Sequence, residues 1–303
     1  MSKALVQRSC PVCGSERVGA YLQKRELTLV KCVECGMIYA NPVPAEYASG
    51  EYYDQTAAGY YVSPAKLESD YSPVRFEREL RLFRNHCPGG AVLDVGCGSG
   101  PFLFQLKQRF PGAYAITGAD VSGPALDHAE SVGIPVVRGE FLGHDFVGRK
   151  FDAMTFWAVL EHLAEPGRFL AKAAELLKPN GLCFVLVPNM KSLAVRLIGP
   201  RYRYIYAQHL NYFTSSTLSR LVQCHFSVLE MRTTHFNPIV IWQDWRRGGE
   251  EISNTERGEL LKRTTAYKQR PLLKPVKLVY NAAEATLSSF GLADNLAAVL
   301  RLR

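Results

Sequence analysis

The stretch 91–101, AVLDVGCGSGP, constrains the fold of this chain more than any other part. Its apolar beginning is typical of a strand buried on both faces. Gly96, Gly98 and Gly100 follow at alternate positions, and a helical pattern begins directly after them. Glycines let a ligand approach the backbone closely, and the amides at a helix start favour negatively charged groups. The stretch therefore predicts a strand–turn–helix unit, which is either a nucleotide-like binding site or a tight structural turn.

Strand and helix patterns alternate on both sides of this stretch. Apolar runs typical of buried strands fall at 91–95, 114–119, 135–138, 151–157, 182–187 and 226–233. Helical patterns alternate with them, at 74–87, 101–110, 124–132, 165–177 and 217–223. Strands that alternate with helices over short connections predict an α/β fold with a doubly wound, mostly parallel sheet.

The N-terminal segment carries four cysteines in two C-x-x-C pairs. Cys10 and Cys13 form one pair and Cys32 and Cys35 the other, with 18 residues between the pairs and a glycine after each. Two such knuckles are typical of a closed four-thiolate zinc site, in which the metal is structural. Zinc would also explain how about 40 residues fold around so small a core. The segment 1–44 resembles a zinc ribbon.

A tyrosine-rich segment joins the ribbon to the alternating region. Residues 45–72 contain six tyrosines and few aliphatic side chains. This composition favours a linker with one short helix, which is either a lid over a site or a surface connector. The rest of the chain, 73–303, is predicted to form the α/β domain.

The glycine-rich stretch resembles motif I of the class I S-adenosylmethionine-dependent methyltransferases. The match is Leu93-Asp94-Val95-Gly96-Cys97-Gly98-Ser99-Gly100, whereas a dinucleotide site would place the third glycine one residue later. Segments 151–163, 165–170 and 177–182 resemble later motifs of that family, in the family's order. The resemblance implies seven strands, the last antiparallel beside the sixth. We therefore expect a seventh strand at 295–302 and a helical insertion at 237–292.

The resemblance implies that S-adenosylmethionine binds at the carboxyl ends of the strands. Asp120 ends the second strand, 26 residues after Asp94, and a carboxylate there accepts hydrogen bonds from both hydroxyls of a ribose. Glu140 and Phe141 follow the third strand, where the family places the adenine. The expected cofactor-binding residues are Asp94, Gly96, Gly98, Gly100, Asp120, Val121, Glu140, Phe141 and Trp157.

Two histidines, His162 and His209, are candidates for a catalytic base. Transfer of a methyl group to a hydroxyl or an acidic carbon requires a group that removes the proton. His209 lies in 206–214, which resembles a segment of zinc-ribbon methyltransferases that act on sugars and other small metabolites. Deoxysugar C-methyltransferases have a Glu-His pair there, whereas Gln208 precedes the histidine here. Either histidine could instead be structural.

The region of the fourth strand also resembles the quinone-biosynthesis O-methyltransferases. Some of those enzymes hold a metal with an acidic residue three positions before their Glu-His pair. The corresponding residue here is Ala158. We therefore expect no catalytic metal.

The charge balance leaves several partners open. A formal net charge of +8 suits an anionic or phosphorylated small-molecule acceptor, a nucleic acid or a membrane surface, although the excess is spread over many segments. The basic stretch 257–277 is the candidate for peripheral membrane contact. We find no transmembrane pattern and no secretory signal, so we expect a cytoplasmic protein.

The first hypothesis for function is methyl transfer from S-adenosylmethionine to an O or C atom of a small metabolite, such as a sugar, a polyketide or a lipid-linked intermediate. The alternative is an RNA base methyltransferase, since some of those enzymes also join a zinc ribbon to this fold.

Overall fold

The computed structural model of the chain describes residues 4–49, 51–55, 58–250, 252–269 and 274–303. The strands are β1 Leu5–Val6, β2 Val18–Lys24, β3 Leu27–Cys32, β4 Ile38–Ala40, β5 Val43–Pro44, β6 Gly90–Val95, β7 Tyr114–Asp120, β8 Val136–Arg138, β9 Phe151–Trp157, β10 Leu177–Pro188, β11 Asn211–Tyr212, β12 Phe226–Thr234 and β13 Asn295–Leu302. The helices are α1 Ala45–Ser49, α2 Glu51–Gln55, α3 Ala58–Tyr61, α4 Pro64–Asp70, α5 Glu77–His86, α6 Pro101–Arg109, α7 Gly123–Ser131, α8 Pro166–Leu176, α9 Leu193–Ile198, α10 Ser215–Val222, α11 Pro238–Arg247, α12 Asn254–Gln269 and α13 Lys274–Ser289.

A seven-stranded sheet forms the centre of the molecule, in the order β12-β13-β10-β9-β6-β7-β8. The pairs β10–β9, β9–β6, β6–β7 and β7–β8 are parallel, and β13 runs antiparallel to both of its neighbours. The middle strands are buried on both faces; Leu93 of β6, for example, is fully buried. This topology confirms the predicted doubly wound α/β fold, including the antiparallel last strand beside the sixth.

Strand β10, one of the two neighbours of β13 in the sheet, starts earlier than the sequence pattern predicts. The expected strand was 182–187, but β10 begins at Leu177, which pairs with Phe151, and the register shifts before Leu182. The four residues 178–181 between them form an irregularity in which Asn180 has a φ of 63°. Turn-forming residues therefore mark a bulge here, not a separate loop.

The N-terminal cysteine segment forms its own sheet, in the order β11-β4-β3-β2. The fourth strand of this sheet, β11, comes from a distant part of the chain, and Asn211 pairs with Tyr39. Cys32 and Tyr39 belong to the same buried cluster as Leu93 of the large sheet. The cysteine segment is thus fused to the α/β core through shared apolar side chains.

The tyrosine-rich segment contains α1 to α4 in place of the single short helix that its composition suggested. Its rings pack on one another edge to face: the centroids of Tyr47 and Tyr52 are 4.8 Å apart and those of Tyr52 and Tyr53 are 5.5 Å apart. The hydroxyls of Ser69 in α4 and Thr265 in α12 form a hydrogen bond of 2.7 Å. These helices therefore lie between the cysteine segment and the late helices.

Three helices, α11, α12 and α13, occupy the connection between β12 and β13. In the predicted membrane-contact stretch 257–277, residues 270–273 lie outside the described residues. Among the residues that the structure describes, no helix has the length and apolar character needed to cross a membrane.

Candidate active site

A cavity of about 1130 Å³ lies at the carboxyl ends of β6, β7 and β9. This edge of a parallel sheet is where ligands bind in open α/β folds. Most of the residues predicted from sequence line it: Asp94, Gly96, Gly98, Asp120, Val121, Glu140, Phe141, Trp157, His162 and His209. Gly100 does not line it; a Cβ there would lie 3.2 Å from the Cβ of Ala129. Gly100 instead allows close packing of α6 on α7.

The turn after β6 is fixed by two glycines with different surroundings. Gly96 has a φ of 72°, and a Cβ on it would lie 2.6 Å from a methyl carbon of Val159. Gly98 has a φ of 54°, and a Cβ there would meet no atom within 4 Å. The first glycine is thus required by packing, whereas the second leaves open space beside the backbone for a ligand.

Asp120 connects the end of β7 to the glycine turn. The backbone amide of Gly98 donates a hydrogen bond of 2.8 Å to Oδ2 of Asp120, and the amide of Ser122 donates one of 2.9 Å to Oδ1. Burial raises the pKa of this carboxyl above its ordinary value. Each oxygen of an ionised carboxylate has a second lone pair, so Asp120 retains acceptor capacity for ribose hydroxyls.

Asp94 is buried below the turn. It accepts a hydrogen bond of 2.5 Å from the hydroxyl of Thr155 on the neighbouring strand β9. Burial raises the pKa of Asp94 to about 7. A positively charged group bound beside it would stabilise the ionised form.

Aromatic side chains bound the same part of the cavity. Phe141 is stacked on Phe169 with 5.5 Å between ring centroids, and Glu140 is exposed beside it. The ring of Trp157 contacts Phe102 edge to face at 5.2 Å, and its Nε1 is buried with no hydrogen-bond partner among the described residues. This part of the cavity thus combines an open glycine turn, a carboxylate at a strand end and aromatic walls. These features fit S-adenosylmethionine.

The opposite part of the cavity holds the two candidate histidines. The ring centroids of His162 and His209 are 4.7 Å apart, with 72° between the planes. Nδ1 of His162 lies 2.9 Å from the carbonyl oxygen of Gln208, and Nδ1 of His209 lies 2.9 Å from that of Tyr204. A carbonyl oxygen can only accept, so we assign the hydrogen to Nδ1 in both rings and the lone pair to Nε2.

Burial keeps both histidines neutral. It lowers the pKa of His162 to about 4 and that of His209 well below its ordinary value, and the charge of Arg257 adds to the effect on each. A neutral imidazole with its lone pair on Nε2 is a proton acceptor. Both rings are therefore in the neutral form that a proton acceptor requires, and the lowered pKa values make them weaker bases than a free imidazole.

The structure places beside the histidines three residues that were not predicted as site residues. The hydroxyl of Tyr53 in α2 lies 2.7 Å from Nδ1 of His162. The ring of Tyr206 lies 4.3 Å from that of His209, and the guanidinium of Arg257 lies 4.1 Å from the centroid of Tyr206. The tyrosine-rich composition of 45–72 pointed to Tyr53 only in general terms, and no sequence pattern singles out Arg257.

Glu161 lies next to the two candidate histidines. One ligand-type atom from each of Glu161, His162 and His209 lies within 4.8 Å of the others. Burial raises the pKa of Glu161 to about 8, and its Oε2 has no hydrogen-bond partner in the described part of the chain. A carboxylate and two imidazoles are ligand types that a divalent cation accepts, and a bound cation would favour the ionised form of Glu161. The absence of a catalytic metal stays a prediction.

The four N-terminal cysteines converge on one point. The Sγ atoms of Cys10 and Cys35 are 3.4 Å apart, those of Cys13 and Cys32 are 3.5 Å apart, and all four lie within 4.8 Å of one another. A tetrahedral zinc with Zn–S bonds of about 2.3 Å needs similar spacings. The donor set and geometry thus fit Zn²⁺, which would be held by thiolates alone.

The cysteine segment also holds the loop that carries His209. The amide of Ala40 in β4 donates to the carbonyl of Leu210 at 2.9 Å, and the guanidinium of Arg8 donates to the same carbonyl at 3.2 Å and to the side chain of Asn211 at 3.0 Å. The two residues after His209 are therefore fixed by the cysteine segment.

Comparisons with known proteins agree with this architecture. The methyltransferase domain family matches residues 73–225, and the chain belongs to that family. This confirms the class predicted from motif I, the class I S-adenosylmethionine-dependent methyltransferases.

Named relatives include ubiquinone biosynthesis O-methyltransferases. The protein of Caulobacter vibrioides is 36% identical over 152 residues, which is 44% of this chain and 59% of the relative. The protein of Dinoroseobacter shibae is 30% identical over 210 residues, which is 64% of this chain and 82% of the relative. This chain spans about three fifths of the length of the first such relatives.

Solved structures share the fold at low sequence identity. The cyclase SpnF has a TM-score of 0.51 and 18% identity, and the match covers 86% of this chain and 97% of SpnF. A protein of Pyrococcus horikoshii OT3 has a TM-score of 0.50 and 16% identity, over 84% of this chain and 99% of that protein.

Proposed function

We propose that this protein transfers the methyl group of S-adenosylmethionine to a hydroxyl oxygen of a small metabolite. One observation carries the proposal: the glycine turn of β6 and two neutral histidines, with lone pairs on Nε2, line the same cavity. The names of the curated relatives, which are O-methyltransferases, favour oxygen over carbon as the acceptor atom. A sugar, a polyketide or a lipid-linked intermediate with a free hydroxyl would each suit the proposal.

The strand ends would hold the cofactor. Asp120 would accept hydrogen bonds from the ribose, Glu140 and Phe141 would contact the adenine, and the turn at Gly98 would accommodate the methionine end beside Asp94. S-adenosylmethionine supplies a methyl group that its sulfonium charge already activates. The protein therefore has mainly to align the acceptor with it.

The histidines would manage the proton. His209 accepts the hydroxyl proton at Nε2, while the carbonyl of Tyr204 holds its Nδ1–H and so fixes the ring orientation. The positive ring that results is disfavoured by burial, because burial lowers the pKa of His209. The half-buried ring of His162 lies 4.7 Å away and would be the second candidate acceptor for this proton.

The tyrosine-rich helices would close this side of the cavity. Gln208 donates a hydrogen bond of 2.7 Å from its side chain to the hydroxyl of Tyr52, and the hydroxyl of Tyr53 donates to the backbone carbonyl of Gln208 at 3.3 Å. Both contacts join α2 to the loop before His209. They support a lid that limits access of water to the reacting atoms.

A labelling experiment tests the proposal. The full chain is incubated with methyl-labelled S-adenosylmethionine and a cell extract, and label is measured separately in the small-molecule and RNA fractions. We expect the label in a small molecule, with fragmentation by mass spectrometry placing it on oxygen. Label in RNA would favour the RNA base methyltransferase hypothesis, and an absence of label in both fractions would contradict methyl transfer.

A further inference from the structure

Not every basic side chain of the cavity is paired with a carboxylate. Six basic side chains line it within the described residues: Lys66, Arg75, Arg168, Arg203, Arg257 and Arg263. Four of the six are paired with carboxylates: Lys66 and Arg75 with Asp70, Arg168 with Glu165, and Arg203 with Asp244. In the described part of the chain, Arg257 and Arg263 have no such partner.

These two arginines differ in their surroundings. Arg263 is exposed, so water and mobile ions can screen its charge. Arg257 is half-buried, one turn inside the start of α12. Partial burial of a charge without a counter-ion is unfavourable, and the side chain of Tyr206 provides Arg257 with a hydrogen bond but no negative charge. Arg257 is thus the basic side chain of this cavity that most needs an anion.

Arg257 is also held in place. Its helix packs on α4: a Cβ on Gly258 would lie 3.5 Å from the Cβ of Ala65, and Thr265 is hydrogen-bonded to Ser69. The guanidinium lies 4.1 Å from the centroid of the Tyr206 ring. A guanidinium that rests on an aromatic face keeps its N–H edge available for a planar or tetrahedral anion. The contact with Tyr206 therefore orients Arg257 without neutralising it.

Tyr206 connects this cation to the candidate base. Its ring contacts the guanidinium of Arg257 and lies 4.3 Å from the ring of His209. The charge of Arg257 also helps to lower the pKa of both histidines, which shows that it acts on the same part of the cavity. An acceptor with its hydroxyl at His209 would thus meet Arg257 one ring width away.

We propose that the acceptor carries a carboxylate or phosphate group and that Arg257 binds this group, with Tyr206 as the wall between the anion and the reacting hydroxyl. This inference rests on the proposed function, since it assigns the chemical class of the acceptor for the same cavity. Charge-assisted bonds from a guanidinium are the strong, directional contacts by which proteins select such groups.

A binding experiment tests the assignment without turnover. The full chain is saturated with S-adenosylhomocysteine and titrated by calorimetry with benzoate, phenyl phosphate and the uncharged benzamide. We expect at least one anion to bind about tenfold more tightly than benzamide, a difference that corresponds to one charged contact. Comparison of the two anions shows whether the site prefers carboxylate or phosphate. No preference for either anion in the unmodified protein would overturn the proposal.

Two variants of Arg257 test whether this residue causes the preference for anionic probes. Arg257→Met should bind all three probes with similar affinity, whereas Arg257→Lys should retain part of the preference. The matched control is Lys262→Met, which removes a charge from the same helix at a half-buried residue paired with Glu68, outside the lining of the cavity. A preference that persists in Arg257→Met, or that Lys262→Met loses equally, would assign it to general charge and overturn the proposal. Affinity for S-adenosylhomocysteine verifies that each variant is folded.

The outcome is separable from that of the labelling experiment. Anion preference at Arg257 without any labelled product would contradict methyl transfer and leave the anion site standing. A labelled product that carries no negative charge would support the proposed function and refute the anionic acceptor.

Discussion

The two sides of the cavity are built in different ways. The cofactor side comes from the ends of β6, β7 and β9, which are neighbours in one sheet and are tied by the bond from Gly98 to Asp120. The acceptor side is assembled from distant segments, namely α2, the residues after β9, the loop before β11 and α12, and the cysteine segment pairs with β11 through β4. One side therefore depends on local sheet geometry, whereas the other depends on contacts between elements far apart in sequence.

The largest effect should come from the acceptor side. His209→Gln should lower kcat by about 10²–10⁴, because the hydroxyl loses its proton acceptor. Affinity for S-adenosylhomocysteine should change by less than about twofold, since His209 makes no contact with the strand ends in the proposed arrangement. Steady-state kinetics and calorimetry measure the two quantities.

His162→Gln is the matched variant. If His209 is the first proton acceptor, this second substitution should lower kcat by a smaller factor. An equal or larger loss would move the base to His162, and a parallel loss of cofactor affinity in either variant would indicate a structural role.

The next effect should be confined to the cofactor side. Asp120→Ala should weaken binding of S-adenosylhomocysteine by about 10–100-fold, the usual loss for hydrogen bonds to a charged group. Asp127→Ala removes an exposed carboxylate from α7 nearby and should leave affinity unchanged. Unchanged affinity in Asp120→Ala, measured by calorimetry, would refute the assignment of the ribose to this residue.

The cysteine segment should affect the acceptor side more than the cofactor side. Cys13→Ser should lower the zinc content from about one ion per chain and lower kcat/KM for the acceptor by about tenfold, because β4 holds the residues after His209. Cofactor affinity should change little. Metal analysis, kinetics and calorimetry report these three quantities.

The exposed Cys224 provides the control for that variant. Cys224→Ser should alter neither zinc content nor kinetics. If the first residues keep their fold after the metal is chelated, the zinc is not structural. A second metal ion per chain in the unmodified protein would contradict a different prediction, that the group around Glu161 holds no metal.

The same contrast explains what the sequence could and could not predict. The glycine turn, Asp120 and the succession of strands along the chain were predictable, because buried strands and turns leave local patterns, whereas the antiparallel last strand was implied by the family resemblance. The pairing of Asn211 with Tyr39 leaves no such pattern, since β11 has only two residues. The position of Arg257 was equally hidden, because it depends on how α12 packs on α4. Prediction thus fails where the site depends on tertiary contacts.

The smallest expected effect is on the pH dependence of the free energy of unfolding, to which the two sides of the cavity contribute differently. Both histidines have a folded-state pKa below their unfolded value, so the unfolded chain binds more protons as pH falls. Their contribution to the free energy of unfolding is present above pH 6.5 and is lost as pH falls toward about 4, the pKa of His162. Denaturant titrations of the His162→Gln and His209→Gln variants should show a weaker loss of stability over this range than the unmodified protein.

The contribution of Asp94 to stability should change with pH in the opposite direction. Its pKa is raised from 3.8 to about 7, so its neutral form favours folding at low pH, and this contribution is lost as pH rises toward 7. Asp94→Asn keeps a neutral side chain at every pH and should therefore gain stability relative to the unmodified protein between pH 4 and 7. The measured quantity is the difference in free energy of unfolding between each variant and the unmodified protein, plotted against pH. Because the pKa shifts of Asp94 and of the histidines are opposite, these plots must have opposite slopes. Equal slopes would contradict the difference between the two sides.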